Sequence, residues 1–483
     1  MRFRVPLKEL KNSEIERLFT KVTQQMVFNA YEISSEIDVF VTFETMNNRG
    51  KLLSTLELLK NRLIYLSSKL PAPKGREQTL RQNINDAWKS AYHYLGKNDQ
   101  RPLNDDAFLK THLSHYYLTH LTKFPEHEDK NREKAKQRYE IAIECFGRFL
   151  LNDLFTPKRL NRKLGKKDEL PPLSREFLHD FAQDLKASVE LYYKLSSPAD
   201  SNYTGAEKIW LERITRLLGY SPSNLLLAVY RQEPKSENRL AFLENFERLN
   251  FLSSLGNTRT PYAYTRRLLI PDYFLAYTTG RMRMDGLICQ LEDISTKLLK
   301  ETPLVELLHD WVKGSGGYYG WRAIKYFLFE YESALLAKSK SAREKIEWKE
   351  FSQEIFEVDY ETIEHIYPQR PRDKYWTHRF SKFTVKQKRV LRNSLGNLLP
   401  LARPRNSSLG NKPFPEKLGD DISKVGYRYG SYSENEVALQ QEWGAKEILE
   451  RGIRLLDFLE KRWKLPIGDR TQKAKALGLE FLK

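Results

Sequence analysis

Across residues 80–335 apolar side chains recur three and four positions apart, and this spacing restricts the chain more than any other feature. The segments "YEIAIECFGRFLLNDLF", "EFLHDFAQDLKASVELYYKL" and "AIKYFLFEYESALLAK" all carry it. With 3.6 residues per turn, such positions gather on one side of an α-helix, whereas a strand scatters them over both faces. Breaks at "KFPEHEDKNRE", "PKRLNRKLGKKDELPP", "SPADSNYTG" and "KGSGGYYGW" divide the region into separate helices. No fixed-period repeat is visible, so a regular solenoid is not expected. The fold class is therefore mainly α. The aromatic run "YFLFEYE" reads as helix core rather than as a surface for stacking bases.

Two stretches have strand character. Residues 36–43, "EIDVFVTF", alternate and are rich in β-branched side chains. A turn, "ETMNNRGKLL", follows, with Asn47, Asn48 and Gly50 suited to left-handed backbone. A helix then begins, for which Ser54 and Glu57 form a capping box and Leu56, Leu59 and Leu63 share one face. The second stretch, "NLLPLA", comes after the tight turn at Gly396. At roughly 150 residues per domain, 483 residues imply about three domains. The expected partition is 1–70 for the N-terminal α/β piece, 71–335 for the helical middle, and 336–483 for a C-terminal domain entered through the basic run "KSKSAREK".

Charge singles out the last of these. The chain carries a formal net charge of +18, and residues 361–430 hold 15 Lys/Arg against 6 Asp/Glu, half of the total excess. Local density of this kind neutralises phosphates, so the expected partner is a polyanion such as DNA. The two cysteines, Cys145 and Cys289, lie far apart, which excludes a disulfide scaffold or zinc ribbon and fits a reducing cytoplasm. No apolar run approaches the ~20 residues of a membrane helix, so no membrane partner is expected.

Within the basic block the polar residues are ordered. Glu364-His365 stand at the start of "EHIYPQ", followed by Asn397, Asn406, Lys412 and Lys417. Phosphodiester hydrolysis needs an activated water, a cation on the phosphate and stabilisation of the leaving oxygen. A neutral histidine takes the water's proton, which falls to His365. A hard divalent ion takes oxygen ligands, and Glu364 and Asn406 are the candidates. Asn397 is the candidate for fixing the imidazole. Lys417 is a further catalytic candidate through the phosphate, and Arg370, Arg403, Arg405 and Lys412 are candidates for the nucleic-acid backbone. His112, His115 and His120 have helical spacing without nearby carboxylates and read as core or surface histidines, and His378 as a surface one.

The order "EHIYPQ … W … LGNLLPL … RN … N-PF-K" over residues 355–425 resembles an HNH (His-Me finger) nuclease, and more closely the C-terminal domain of GmrSD-type, modification-dependent restriction enzymes. The resemblance implies a ββα-metal fold, with His365 as general base, Asn397 holding that base, and Glu364 and Asn406 as ligands of Mg²⁺ or Mn²⁺. Asparagine at the last position, in place of histidine, favours a hard ion over zinc.

A second resemblance covers residues 36–66. "VFVTFETMNNRGKLLSTLELLKNRLIYL" is similar to the end of the ParB-like N-terminal domain of the same proteins, which binds nucleotide. It implies phosphate contacts for Asn48, Arg49 and Lys51. The family's upstream D-G-Q-Q-R does not occur in the 35 residues before the strand, so the N-terminal domain is expected to be a remnant. A nucleoside triphosphate enters the scheme only if the missing N-terminal half is supplied, and a separate chain carrying that ParB-like half is a candidate partner. The implied activity is endonucleolytic cleavage of modified or phage DNA in anti-phage defence, by a cytoplasmic protein for which a homo-oligomer stays open. The alternatives are a nucleic-acid-binding or regulatory protein with a vestigial site, and one subunit of a split NTPase/nuclease.

Overall fold

The computed structural model describes residues 12–482 apart from 27–52, 72–76, 99–101, 123–129, 161–169, 204, 220, 234, 257–269, 302, 315, 341–342, 349–350, 352–362, 402–408 and 423. The described residues are mainly helical, as the apolar spacing implies, and two short strands form their β-structure. The expected strand 36–43 and Asn48, Arg49 and Lys51 lie outside the described residues, as do Arg403, Arg405 and Asn406.

The helix Thr55–Lys69 starts as its sequence dictates. The Ser54 hydroxyl accepts from Glu57 N, and the Glu57 carboxylate accepts from Ser54 N at 3.0 Å. These two bonds occupy amides that a helix start otherwise leaves without partners. Leu56, Leu59 and Leu63 are fully buried, and the Trp88 indole donates to Leu56 O at 2.9 Å. Trp88 belongs to the helix Glu77–Gly96, which packs along Arg175–Ser196. Farther on, Ser236–Leu255 packs between Gly205–Leu218 and Met284–Glu301. His112 and His115 sit inside the first of these assemblies and His120 on its surface, as expected for structural histidines. Tyr326, Phe327, Leu328, Phe329 and Tyr331 are core residues of the helix Ile324–Lys338.

The C-terminal helix Ala445–Trp463 binds the helical region to the rest of the chain. Trp463 stacks on Phe251 with centroids 3.6 Å apart, and its indole donates to the buried Glu247 carboxylate at 2.9 Å. Tyr326 donates to the same carboxylate at 2.6 Å and Arg462 pairs with it at 3.4 Å. Burial pushes the Glu247 carboxyl up, and Arg462 opposes that. The same helix crosses the turn Leu395–Asn397 so closely that a Cβ on Gly396 would lie 1.9 Å from Ile448 O. Only glycine fits that crossing. The Arg451 guanidinium, fully buried, donates to Gly396 O and Leu398 O at 2.9 and 2.7 Å and so holds the turn and the strand that leaves it.

Candidate active site

The two strands are β1, Ile363–His365, and β2, Leu398–Pro400. They pair antiparallel, with Ile363 opposite Pro400, Glu364 opposite Leu399 and His365 opposite Leu398. Between them the chain inserts two short helices, Lys374–Arg379 and Val385–Asn393. Asp373 caps the first, and Thr384 with Gln387 forms a capping box on the second. Tyr367 stacks on Phe380 at 3.8 Å, which fastens the first helix beneath the end of β1.

Asn397 closes the insert. Its carboxamide oxygen accepts from Tyr367 N at 2.8 Å and from the Trp443 indole at 3.1 Å. Its nitrogen donates to Tyr367 O at 3.0 Å and Arg392 O at 2.8 Å. One buried side chain thereby ties together both ends of the insert and the chain leading into the C-terminal helix. The expectation that Asn397 holds the imidazole itself is corrected: both ends of its amide are committed to these groups, and it fixes the backbone two residues beyond His365.

Other side chains hold the ring. The Asn393 side chain lies near His365 and acts to raise its pKa. The Gln369 carboxamide nitrogen stands 3.4 Å from both ring nitrogens, and the Tyr319 ring packs against the imidazole with centroids 4.9 Å apart. His365 is only 4% exposed. That burial lowers its pKa to about 4, and the neighbouring Asn393 side chain opposes the shift only partly. At neutral pH the imidazole is therefore uncharged and able to accept a proton.

Glu364 and Lys417 meet each other. Successive residues of a strand face opposite ways, and Glu364 turns from His365 toward the interior, where Lys417 Nζ lies 2.5 Å from its carboxylate. Lys417 also donates to Ile366 O at 3.2 Å, and the Tyr427 hydroxyl stands 3.5 Å from the same carboxylate oxygen. Lys417 is fully buried; burial lowers its pKa and Glu364 opposes that. Two expectations are corrected on this geometry. Lys417 has no surface with which to touch a phosphate. Glu364 does not fit a divalent ion shared with His365, because its carboxylate faces an ammonium on the other side of the strand. Among the described residues no cluster of three or more His, Cys, Asp or Glu side chains is placed to hold a metal.

Arg370 and Lys412 are exposed, as a backbone-binding role requires, and so are Lys386 and Arg389 on the helix Val385–Asn393. That helix carries Lys386, Lys388, Arg389 and Arg392 and no acidic residue, and it ends at Asn393, near His365. Sequence reasoning passed over Asn393, Gln369 and Tyr319. Gln369 stood in "EHIYPQ" itself, and Asn393 in "RNSLGN" beside Asn397, so both had a local signal. Tyr319 comes from the distant glycine-rich break "KGSGGYYGW" and had none.

Residues 307–458 match the family model of the C-terminal domain of GmrSD restriction endonucleases. The matched segment contains both strands, the insert, Lys417 and most of the C-terminal helix, and begins within the helix Leu304–Lys313. A restriction-endonuclease domain points to a nuclease with DNA as substrate. No curated protein and no solved structure matches the chain. Among the described residues no helix is long and apolar enough to cross a membrane.

Proposed function

We propose that this chain is a DNA endonuclease in which His365 accepts the proton of the attacking water. The observation that carries the reading is a buried imidazole at the end of β1, with the Gln369 carboxamide 3.4 Å from its nitrogens, Tyr319 packed against it, and a following helix with four cationic and no anionic side chains. The match of residues 307–458 to a restriction-endonuclease domain supports it. In this scheme Arg370, Lys386, Arg389 and Lys412 hold the phosphate backbone. Hydrolysis proceeds as His365 takes a proton from water while the oxygen attacks phosphorus and the leaving oxygen departs. Dependence on Mg²⁺ or Mn²⁺, action on modified or phage DNA and a role in anti-phage defence rest on the family likeness. The ligand set for such an ion does not include Glu364 as it stands.

The near-complete burial of His365 favours one second reading, a DNA-binding protein whose site is silent. Nicking of supercoiled plasmid in the presence of Mg²⁺ or Mn²⁺ separates the two. Conversion to open circles by the purified protein supports the nuclease. Salt-dependent binding without conversion, on both unmodified and modified plasmid, supports the silent site.

A further inference from the structure

We propose that Tyr319 and Gln369 are positioning residues that clamp the plane of the candidate base, and that the end of the basic helix Val385–Asn393 holds both arms of the clamp. The chemical meaning of the clamp rests on the nuclease reading; the contacts themselves do not.

His365 ends β1, and the torsion that turns a histidine ring about its Cβ–Cγ bond has only broad preferences. The backbone therefore does not decide which way the ring faces, and its neighbours must. The Gln369 carboxamide nitrogen stands 3.4 Å from both Nδ1 and Nε2. A group in the ring plane at that equal distance would collide with Cε1, so the amide lies over the face of the ring, where an N–H makes a weak contact with the π-system. Tyr319 meets the same ring with centroids 4.9 Å apart and planes inclined by 49°. An amide over the face and an aromatic ring against it resist rotation. The amide does not occupy the in-plane lone pair that has to receive the water's proton.

Both arms are anchored at one place. Gln369 is exposed, yet its backbone carbonyl accepts from the Arg392 guanidinium at 2.6 Å. Arg392 is itself held on its helix by Nε, which donates to Lys388 O at 3.2 Å. Tyr319 belongs to the turn Gly317–Gly320, which sits on the next residue of that helix. Gly317 has φ +51°, a left-handed backbone that side chains disfavour, and a Cβ there would lie 2.6 Å from Asn393 Cβ and 2.8 Å from Asn393 O. Two further bonds pin the turn: the Tyr318 hydroxyl donates to Ala476 O at 2.9 Å, and the Trp321 indole donates to Ser254 O at 3.0 Å. The helix that offers Lys386 and Arg389 to the phosphates thus also sets the ring of the base.

The test uses the full chain with Tyr319→Phe, Tyr319→Ala, Gln369→Ala and Gln369→Glu, beside His365→Ala. Plasmid nicking gives kcat and KM. The ¹H–¹³C signal of the His365 ring Cε1, identified by its loss in His365→Ala, is followed across pH. Tyr319→Ala is expected to lower kcat on the order of tenfold to a hundredfold with KM unchanged, because a misaligned base loses orientation rather than binding. Tyr319→Phe should recover most of that loss, and Gln369→Ala should share it. Without DNA, Tyr319→Ala should move the Cε1 signal as the ring current of the tyrosine is removed. Gln369→Glu should raise the pKa of the ring by placing a carboxylate over it. Wild-type kcat in Tyr319→Ala and Gln369→Ala, beside an inactive His365→Ala, overturns the clamp. So does an equal loss in Tyr319→Phe and Tyr319→Ala, which assigns the effect to the hydroxyl. Gln369 is exposed, so its variants should fold, and a ring pKa unmoved by Gln369→Glu overturns that arm even where Tyr319→Ala does not fold. If the wild type does not nick, the nuclease reading fails by itself, and an unmoved Cε1 signal in Tyr319→Ala still overturns the clamp.

Discussion

Removing Lys417 tests whether the buried charge beside the candidate base is scaffold or chemistry. In Lys417→Met the Glu364 carboxylate stays inside the protein, having lost the ammonium 2.5 Å away. Breaking a buried ion pair from one side destabilises by about 3–5 kcal/mol, whereas replacing both partners with neutral groups of similar volume is often close to neutral. Lys417→Met and Glu364→Gln are each expected to lose about 3–5 kcal/mol, and the double variant to return to within about 1–2 kcal/mol of wild type. At about 2–4 °C per kcal/mol, each single variant melts roughly 6–20 °C earlier. Urea midpoints read by near-ultraviolet circular dichroism measure all four corners of the cycle, with plasmid nicking assayed in parallel. Because Glu364 faces away from His365, the double variant should also keep its nicking rate within a few-fold. A double variant that is as stable as wild type yet inactive would show that Glu364 takes part in the chemistry, as the residue order suggests, and the structural assignment of the pair would fall. Single variants as stable as wild type would refute the buried pairing itself.

Three other perturbations have defined outcomes. Asn397→Ala leaves Tyr367 N, Tyr367 O, Arg392 O and the Trp443 indole without their partner; at about 1 kcal/mol per buried group, the loss is on the order of 4 kcal/mol. Hydrogen exchange at the Tyr367 amide should accelerate sharply, and slow exchange there would contradict the clamp. Burial lowers His112 to about 4 and His115 to about 3. Both are neutral when folded and take up protons at their ordinary value when unfolded, so stability is full above about pH 6.5 and falls as pH drops toward 4, by roughly 1.4 kcal/mol per pH unit for each residue. Unfolding midpoints between pH 7.5 and 5, compared with His115→Phe, should show a shallower slope in the variant; identical slopes refute the assignment. Exchanging Arg370, Lys386 and Arg389 for Gln should weaken DNA binding and reduce the slope of log K against log salt by about 3. An unchanged slope would move the binding surface elsewhere.

The legible part of this molecule was its local pattern. Helical spacing between residues 80 and 335, the capping box at Ser54 and the buried face of Leu56, Leu59 and Leu63 depend on neighbours three and four residues apart, and the folded chain keeps them. The strand at Leu398–Pro400 followed from a short apolar run after Gly396. Residue order brought His365 and Asn397 forward together as base and holder of the base, but what each side chain touches was not legible. Residue order cannot tell whether an amide reaches a ring or the backbone two residues beyond it; Asn397 does the second, and Gln369 stands at the ring. Glu364 beside His365 looks like a pair in sequence, yet strand alternation separates them, and the true partner, Lys417, comes from a distant helix. Tyr319 was invisible for the same reason, since a contact made through tertiary packing leaves no periodicity to read.

The most direct test of the central claim is His365→Ala in the plasmid-nicking assay, with folding checked by circular dichroism and DNA affinity by a salt titration. The reading requires a folded variant with wild-type affinity and a nicking rate lower by at least a hundredfold, given that general-base contributions run to about 10²–10⁴. A folded His365→Ala protein that nicks DNA at the wild-type rate would remove His365 from the chemistry and the proposed mechanism with it.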